Sequence, residues 1–384
     1  MDLFRLVLIT VLSHMAFVSA RMTGSLYALA NDASTFTVGV ILALFSLVPM
    51  LISVRAGRWV DAVGAFRPTL TGTLLILVGT LLPWLFSYEA ADLAPLLVAA
   101  TLIGTGLTLA MISVQHIIGE RADPARRPAA FSWFALGVSV SGFTGPILSG
   151  FLIDAFGHRA TFGALVVVAL LAVAMVRISR DLMPSRHGTV IPPKPMHPVE
   201  LFRQTELRHV LIATALVSMC WDLQSLVIPV HGTFIGLSAS EIGLVLGSFS
   251  LATFVIRSAM PILSRHFTEW QVLVYTMFSA ALAFTLFPMF SSGPLLMAIA
   301  FLLGLGLGAA HPNIMSLVHS TSPEGRIGEV LGVRLTIIHG NQVVLPLIFG
   351  AFGSVLGTAA MFWTMAVLVF SGGVGAVWWR KHKP

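Results

Sequence analysis

The sequence predicts an all-α integral membrane protein with twelve spans in two six-helix halves. Three observations lead there. Long apolar runs recur along the whole chain, which is 57% hydrophobic and only 10% charged, with a mean hydropathy of +0.92; about a quarter of the residues in a soluble domain are charged. The basic residues sort into alternate connecting segments. The second half of the chain repeats the first.

The spans follow from length. About 20 apolar residues at 1.5 Å rise cross a hydrocarbon core of ~30 Å, and in lipid only helices or closed barrels satisfy their own backbone. Twelve runs qualify, at 4–27, 36–56, 69–87, 93–118, 129–153, 160–178, 210–230, 241–263, 271–290, 295–319, 327–355 and 358–379. The first has the outline of a secretory leader ending at Val18-Ser19-Ala20. Its apolar run continues past Arg21 to Ala30 and is repeated later, so it reads as a retained span.

With the amino terminus inside, eighteen of the twenty-two lysines and arginines lie on the cytosolic side, only Arg159 lies outside, and Arg21, Arg257 and Arg334 fall within spans. This bias places both termini in the cytoplasm and the chain in the cell (inner) membrane. The net charge of +6 does not indicate nucleic acid, because the basic residues are scattered through short loops. The single cysteine, Cys220, excludes an intramolecular disulfide and reads as a buried hydrophobe.

An offset of 204 aligns Ala43–Leu47 with Gly247–Leu251, Met15 with Met219 and Phe17 with Trp221, and small shifts pair Pro146 with Pro346 and Gly150 with Gly350. The chain therefore divides into a bundle at 1–180, a linker at 181–208 and a second bundle at 209–384. The proline-rich linker reads as an extended segment; its last residues, 199–208, have the pattern of a short helix on the membrane surface.

Between the second and third spans, Arg55 to Pro68 forms a charged hinge that must lie at a membrane surface. Its spacing, G-x3-D-x2-G-x2-R on Gly57, Asp61, Gly64 and Arg67, resembles the signature loop of the major facilitator superfamily, with Ala62 and Ala65 where that family commonly has basic residues. In the fifth span Gly145, Pro146 and Gly150 resemble a motif of the superfamily's exporters. The resemblance implies alternating-access transport, with these residues gating. It also implies two six-helix halves about a pseudo-twofold axis, the established architecture of the superfamily. The fourth span, 97–109, lacks the buried arginine common in proton-driven drug exporters.

An ionisable group at membrane depth costs at least ~2.5 kcal/mol on insertion scales and needs a reason. Arg21 and Asp222 lie on the first and seventh spans, which the repeat makes symmetry mates. They are expected to face each other across the pathway, both contacting substrate and Asp222 also carrying the proton; the plain alternative is a fixed ion pair. Arg257 and Arg334 lie about 10 Å from a helix end; they either snorkel or form an anion trap. His14 and His339 are secondary proton-carrier candidates or packing residues. Gln224 and Asn341 are further candidate substrate contacts, with Arg334. His311, Met315 and His319 share a helix face, but no carboxylate or cysteine completes a metal site. No metal and no cofactor is expected, and there is no G-x4-G-K-[ST] loop for ATP. No clustered nucleophile, base and orienting group suggests an enzyme. The expected partners are a small-molecule substrate, a proton and the lipid bilayer, with the chain acting as a monomer. Proton-coupled export is the leading reading; the alternative is proton-coupled uptake or facilitated diffusion of an organic anion or metabolite. Asp61 is expected to hold the amino end of the eleventh helix, near Ile327 and Gly328, through the helix dipole.

Overall fold

The computed structural model describes residues 2–86, 93–121, 127–183, 204–322 and 327–382. The helices are α1 (Asp2–Ala30), α2 (Thr35–Val63), α3 (Phe66–Leu85) and α4 (Ala94–Arg121), followed by a long helical segment Arg127–Ile178. That segment bends at Gly157, whose φ of 79° breaks it into α5 (127–156) and α6 (158–178). Then come α7 (Thr205–Phe234), α8 (Ala239–Leu263), α9 (Glu269–Leu286), α10 (Gly293–Thr321), α11 (Ile327–Leu356) and α12 (Thr358–Lys381). The turn from α11 to α12 uses Gly357 at φ 81°, so the repeat extends to its left-handed glycines, where a side chain would be strained.

Of the expected linker at 181–208, residues 184–203 lie outside the described residues; they include half of the expected surface helix at 199–208, and its end, from Thr205, is instead the first turn of α7. Arg5 pairs with Asp181 at 3.4 Å, and His209 stacks on Trp379 at 4.2 Å. The two chain termini, the end of α6 and the start of α7 therefore share one end of the molecule.

Within each half, glycine lets helices approach to backbone contact. A Cβ on Gly104 of α4 would overlap the Phe45 carbonyl of α2, and one on its repeat mate Gly304 would overlap the Phe249 carbonyl of α8. Small residues at such crossings replace the hydrophobic drive that lipid does not supply. Gly104→Ala is accordingly expected to destabilise the protein by about 1–3 kcal/mol through overpacking. Thermal unfolding of the purified protein reads this directly; an unchanged midpoint would show that α2 and α4 separate freely.

Between the halves, the contacts concentrate where α5 meets α8 and α2 meets α11. Gly150 abuts the Ala239 carbonyl and Gly243 the Pro146 carbonyl; the repeat gives Gly350 against Thr35 and Gly39 against the Pro346 carbonyl. All four contacts lie at the end away from the termini. The halves are zipped at that end and part toward the other.

Candidate functional site

Where the halves part, a cavity of about 780 Å³ reaches from Phe45, Leu246 and Gln342 near mid-molecule to Gly57, Gln115 and Phe134 near the termini end. Arg21, Asp222, Gln224, His14 and His339 line it.

Arg21 on α1 donates from Nη2 to Ser225 Oγ on α7 at 2.9 Å, and its guanidinium lies 5.5 Å from the Phe17 ring. Arg21 and Ser225 are 204 residues apart, so the arginine binds its own repeat mate across the pseudo-twofold axis. Asp222 is 3% exposed, and its Oδ2 has no hydrogen-bond partner. The Gln342 side chain of α11 lies beside its carboxylate. Arg21 and Asp222 thus share a cavity without a direct ion pair: among the described residues, the only pair within 4.0 Å is Arg5 with Asp181. Each half thus contributes one of the two charges to the same cavity wall, and among the described residues they form no contact ion pair.

Gln342 organises this wall. Its Oε1 accepts from Ser46 Oγ of α2 at 3.2 Å and lies 3.2 Å from His339 Nδ1. Gln224, 8% exposed, leaves its Oε1 without a partner. His14 bonds Ser141 Oγ of α5 at 2.7 Å. Arg257 of α8 turns inward rather than to the surface: Nη1 donates to Ser139 Oγ of α5 at 2.9 Å, and the guanidinium lies 5.6 Å from the Trp221 ring.

Two of the proposed contacts lie elsewhere. Asn341 donates to Ser218 Oγ and the Ala215 carbonyl of α7 and does not line the cavity. Its tie repeats that of Ser141 with His14, one offset along. Arg334, 5% exposed, donates from Nη2 to His311 Nδ1 at 3.1 Å and is also outside the lining. An arginine only donates, so His311 accepts at Nδ1 and carries its proton on Nε2.

In the hinge, Gly64 ends α2 at φ 80°, a conformation that favours glycine. Gly57 lines the cavity mouth, and Arg67 is exposed in the first turn of α3. The side chains of Asp61 and Ile327, and so the expected contact with the amino end of α11 at Ile327 and Gly328, lie outside the described residues. On α5, Gly145 packs against Val18 and Ser19 of α1, while Pro146 and Gly150 form the closed seam with α8.

At the closed end, Asp154 of α5 accepts from the backbone N–H of Ala239 at 3.0 Å and of Ser240 at 2.7 Å, the first residues of α8. The capping box of Ser238 and Glu241 satisfies the neighbouring donors of the same helix end. Sequence reasoning passed over Asp154, Gln342, Ser225 and Ser139. Only the paired aromatics gave a signal: Phe17 packs edge-on against Phe45 at 5.4 Å, as their repeat mates Trp221 and Phe249 do at 5.0 Å.

Two helical bundles zipped at one end, with a charged cavity between them open at the other, define a polytopic membrane protein of paired-bundle architecture. A family profile described as Major Facilitator Superfamily matches residues 6–339 and 210–384. The chain belongs to that superfamily. It is 24% identical over 264 residues to the "Multi-drug resistance efflux pump PmrA" of Streptococcus pneumoniae, covering 66% of this chain and 64% of that protein, just under two thirds of its length. It is 28% identical over 161 residues to the "Peptide transporter YePEPT" of Yersinia enterocolitica, covering 42% of this chain and 31% of that protein. A crystal structure of a POT family transporter in complex with a thioalcohol conjugated peptide superposes with a TM-score of 0.80 at 14% identity, covering 99% of this chain and 96% of that chain. At that identity the likeness concerns the fold alone.

Proposed function

We propose that the protein moves a small organic molecule across the cell (inner) membrane by alternating access, as a monomer with both termini cytoplasmic, and that Asp222 carries the coupling proton. The observation that carries this reading is the Asp222 carboxylate, 3% exposed, with an unpartnered oxygen, on the wall of a cavity open at one end. The described conformation is then inward-facing, since the open end carries the basic loops expected in the cytoplasm. Arg21 and Gln224 are the primary substrate contacts, and His14 and His339 are secondary proton carriers. Asn341 and Arg334 hold helices around the site. The hinge of Gly57, Asp61, Gly64 and Arg67 and the seam of Gly145, Pro146 and Gly150 are the inner and outer gates.

Export by proton antiport is the leading direction, supported by the seam on α5 and by the efflux function in the name of the Streptococcus relative. The second reading is uptake of an anion with protons. It is favoured by a cavity lining with two arginines and one carboxylate, in which a bound anion would supplant Asp222 as the counter-charge of Arg21. Transport in inside-out and right-side-out vesicles under an imposed pH gradient separates the two. An antiporter is expected to expel protons against substrate flux; movement of both in one direction establishes the second reading. No response to the gradient in either orientation refutes proton coupling.

A further inference from the structure

Among the described residues, the cavity lining holds three side chains with strong charges: Arg21, Arg257 and Asp222. Each arginine is tied across the bundle interface to a neutral serine, Arg21 to Ser225 at 2.9 Å and Arg257 to Ser139 at 2.9 Å. Among the described residues, neither has a carboxylate within 4.0 Å, and Arg21 Nε is buried with no partner. A guanidinium away from bulk water is stabilised most by a charge-assisted, bidentate oxyanion. A serine hydroxyl supplies one neutral acceptor in that place. The repeat sharpens the point: the mates of Arg21 and Arg257 are Ser225 and Ser53, so each half contributes one cation where the other has a hydroxyl, and both Ser225 and Ser53 line the same cavity. Beneath the guanidiniums lie Phe17 and Trp221, at 5.5 and 5.6 Å, which are themselves repeat mates and offer an apolar surface between the two cations.

We infer that Arg21 and Arg257 form a split anion site, one guanidinium from each half, and that the cargo is an organic anion whose carboxylate or phosphoryl oxygens replace Ser225 and Ser139 while its apolar body lies against Phe17 and Trp221. This rests on the cavity being the cargo site. It makes Arg257 the specificity-determining residue, because Arg21 shares the cavity with Asp222 while, among the described residues, no carboxylate interacts with Arg257. An anion bridging the two arginines also draws the open ends of the halves together, coupling occupancy to closure at the termini end.

The test uses the full-length protein in nanodiscs and matched probe ions at constant ionic strength: benzoate and hippurate against benzyltrimethylammonium, with thermal unfolding as readout. Benzoate and hippurate are expected to raise the midpoint in a saturable way, and benzyltrimethylammonium is not. Arg257→Gln is expected to weaken the apparent anion affinity about tenfold or more, the effect of losing one charge-assisted contact, with partial recovery in Arg257→Lys. Arg265→Gln, at an exposed position outside the cavity, is expected to leave it unchanged, and the unliganded midpoint of each variant identifies one that merely folds poorly. Stabilisation by the cation alone, lost in Asp222→Asn, overturns the anion assignment while leaving the cavity as the cargo site. No stabilisation by any probe that depends on Arg21, Arg257 or Asp222 overturns both.

Discussion

Asp222→Asn is expected to abolish accumulation driven by a pH gradient in proteoliposomes while leaving downhill exchange of substrate intact. Asn matches the carboxylate in shape and keeps a hydrogen-bonding group beside Gln342, whose side chain reaches Asp222 from α11, but it cannot carry a proton between the two sides. The geometry makes the substitution mild for the fold. No contact ion pair with Arg21 is broken, and a neutral amide is less costly than a charge at this depth. The functional effect is large because coupling is a thermodynamic link. One pH unit supplies about 1.4 kcal/mol, a tenfold gradient for one proton per substrate, and without a carrier the ratio falls to one. His14 and His339 provide the internal control, since both line the same cavity. If accumulation survives in Asp222→Asn and is lost on substituting either histidine, the proton carrier is that histidine. If it survives all three substitutions, proton coupling through this cavity is wrong.

The span pattern and the repeat were legible because they depend on bilayer thickness and on backbone saturation, which act on runs of residues rather than on single side chains. The repeat reached further than expected: it describes the paired aromatics, the left-handed glycines and the close-packed seams. It also explains why Arg21 and Asp222 stood out, since each breaks the repeat with a charge, against Ser225 and Val18.

What stayed hidden is rotational. Helix 11 carries His339, Asn341 and Gln342 within one turn, and sequence spacing cannot say which of them faces the other half. Gln342 does, binding Ser46 of α2, whereas Asn341 faces α7 within its own half. Arg257 and Arg334 lie at similar depth, yet one turns onto Trp221 in the cavity and the other onto His311. The closed-end contact of Asp154 was invisible for a different reason. It joins α5 to α8 across the bundle interface, and nothing local to either segment signals a partner in the other.

Opening of the sealed end is expected to become markedly easier in Asp154→Asn. The amino end of α8 has its donors divided between two sources. Ser238 Oγ takes Glu241 N–H within the same helix, and the Asp154 carboxylate, from the opposite half, takes Ala239 and Ser240 N–H with one oxygen each. Asn offers one acceptor and turns an NH2 group toward the other donor. The substitution therefore removes a charge–dipole attraction, leaves one backbone N–H unpaired and sets two donors face to face. Asp154 is exposed, so water screens its charge and these bonds contribute about 0.5–1.5 kcal/mol; the ratio of closed to open at this end should fall roughly 2- to 12-fold. The repeat offers no reserve, because among the described residues the side chain of Ser354, the mate of Asp154, bonds only to Ala351 in its own helix. Spin labels at Phe156 and Phe234, exposed positions on opposite halves at the sealed end, in a Cys220→Ser background, read the change as a shift toward longer distances. Asp61→Asn acts at the opposite end and is expected not to lengthen that distance. An unchanged distribution in Asp154→Asn would mean that the glycine seams alone hold the end shut and that Asp154 is an ordinary helix cap supplied from across the interface.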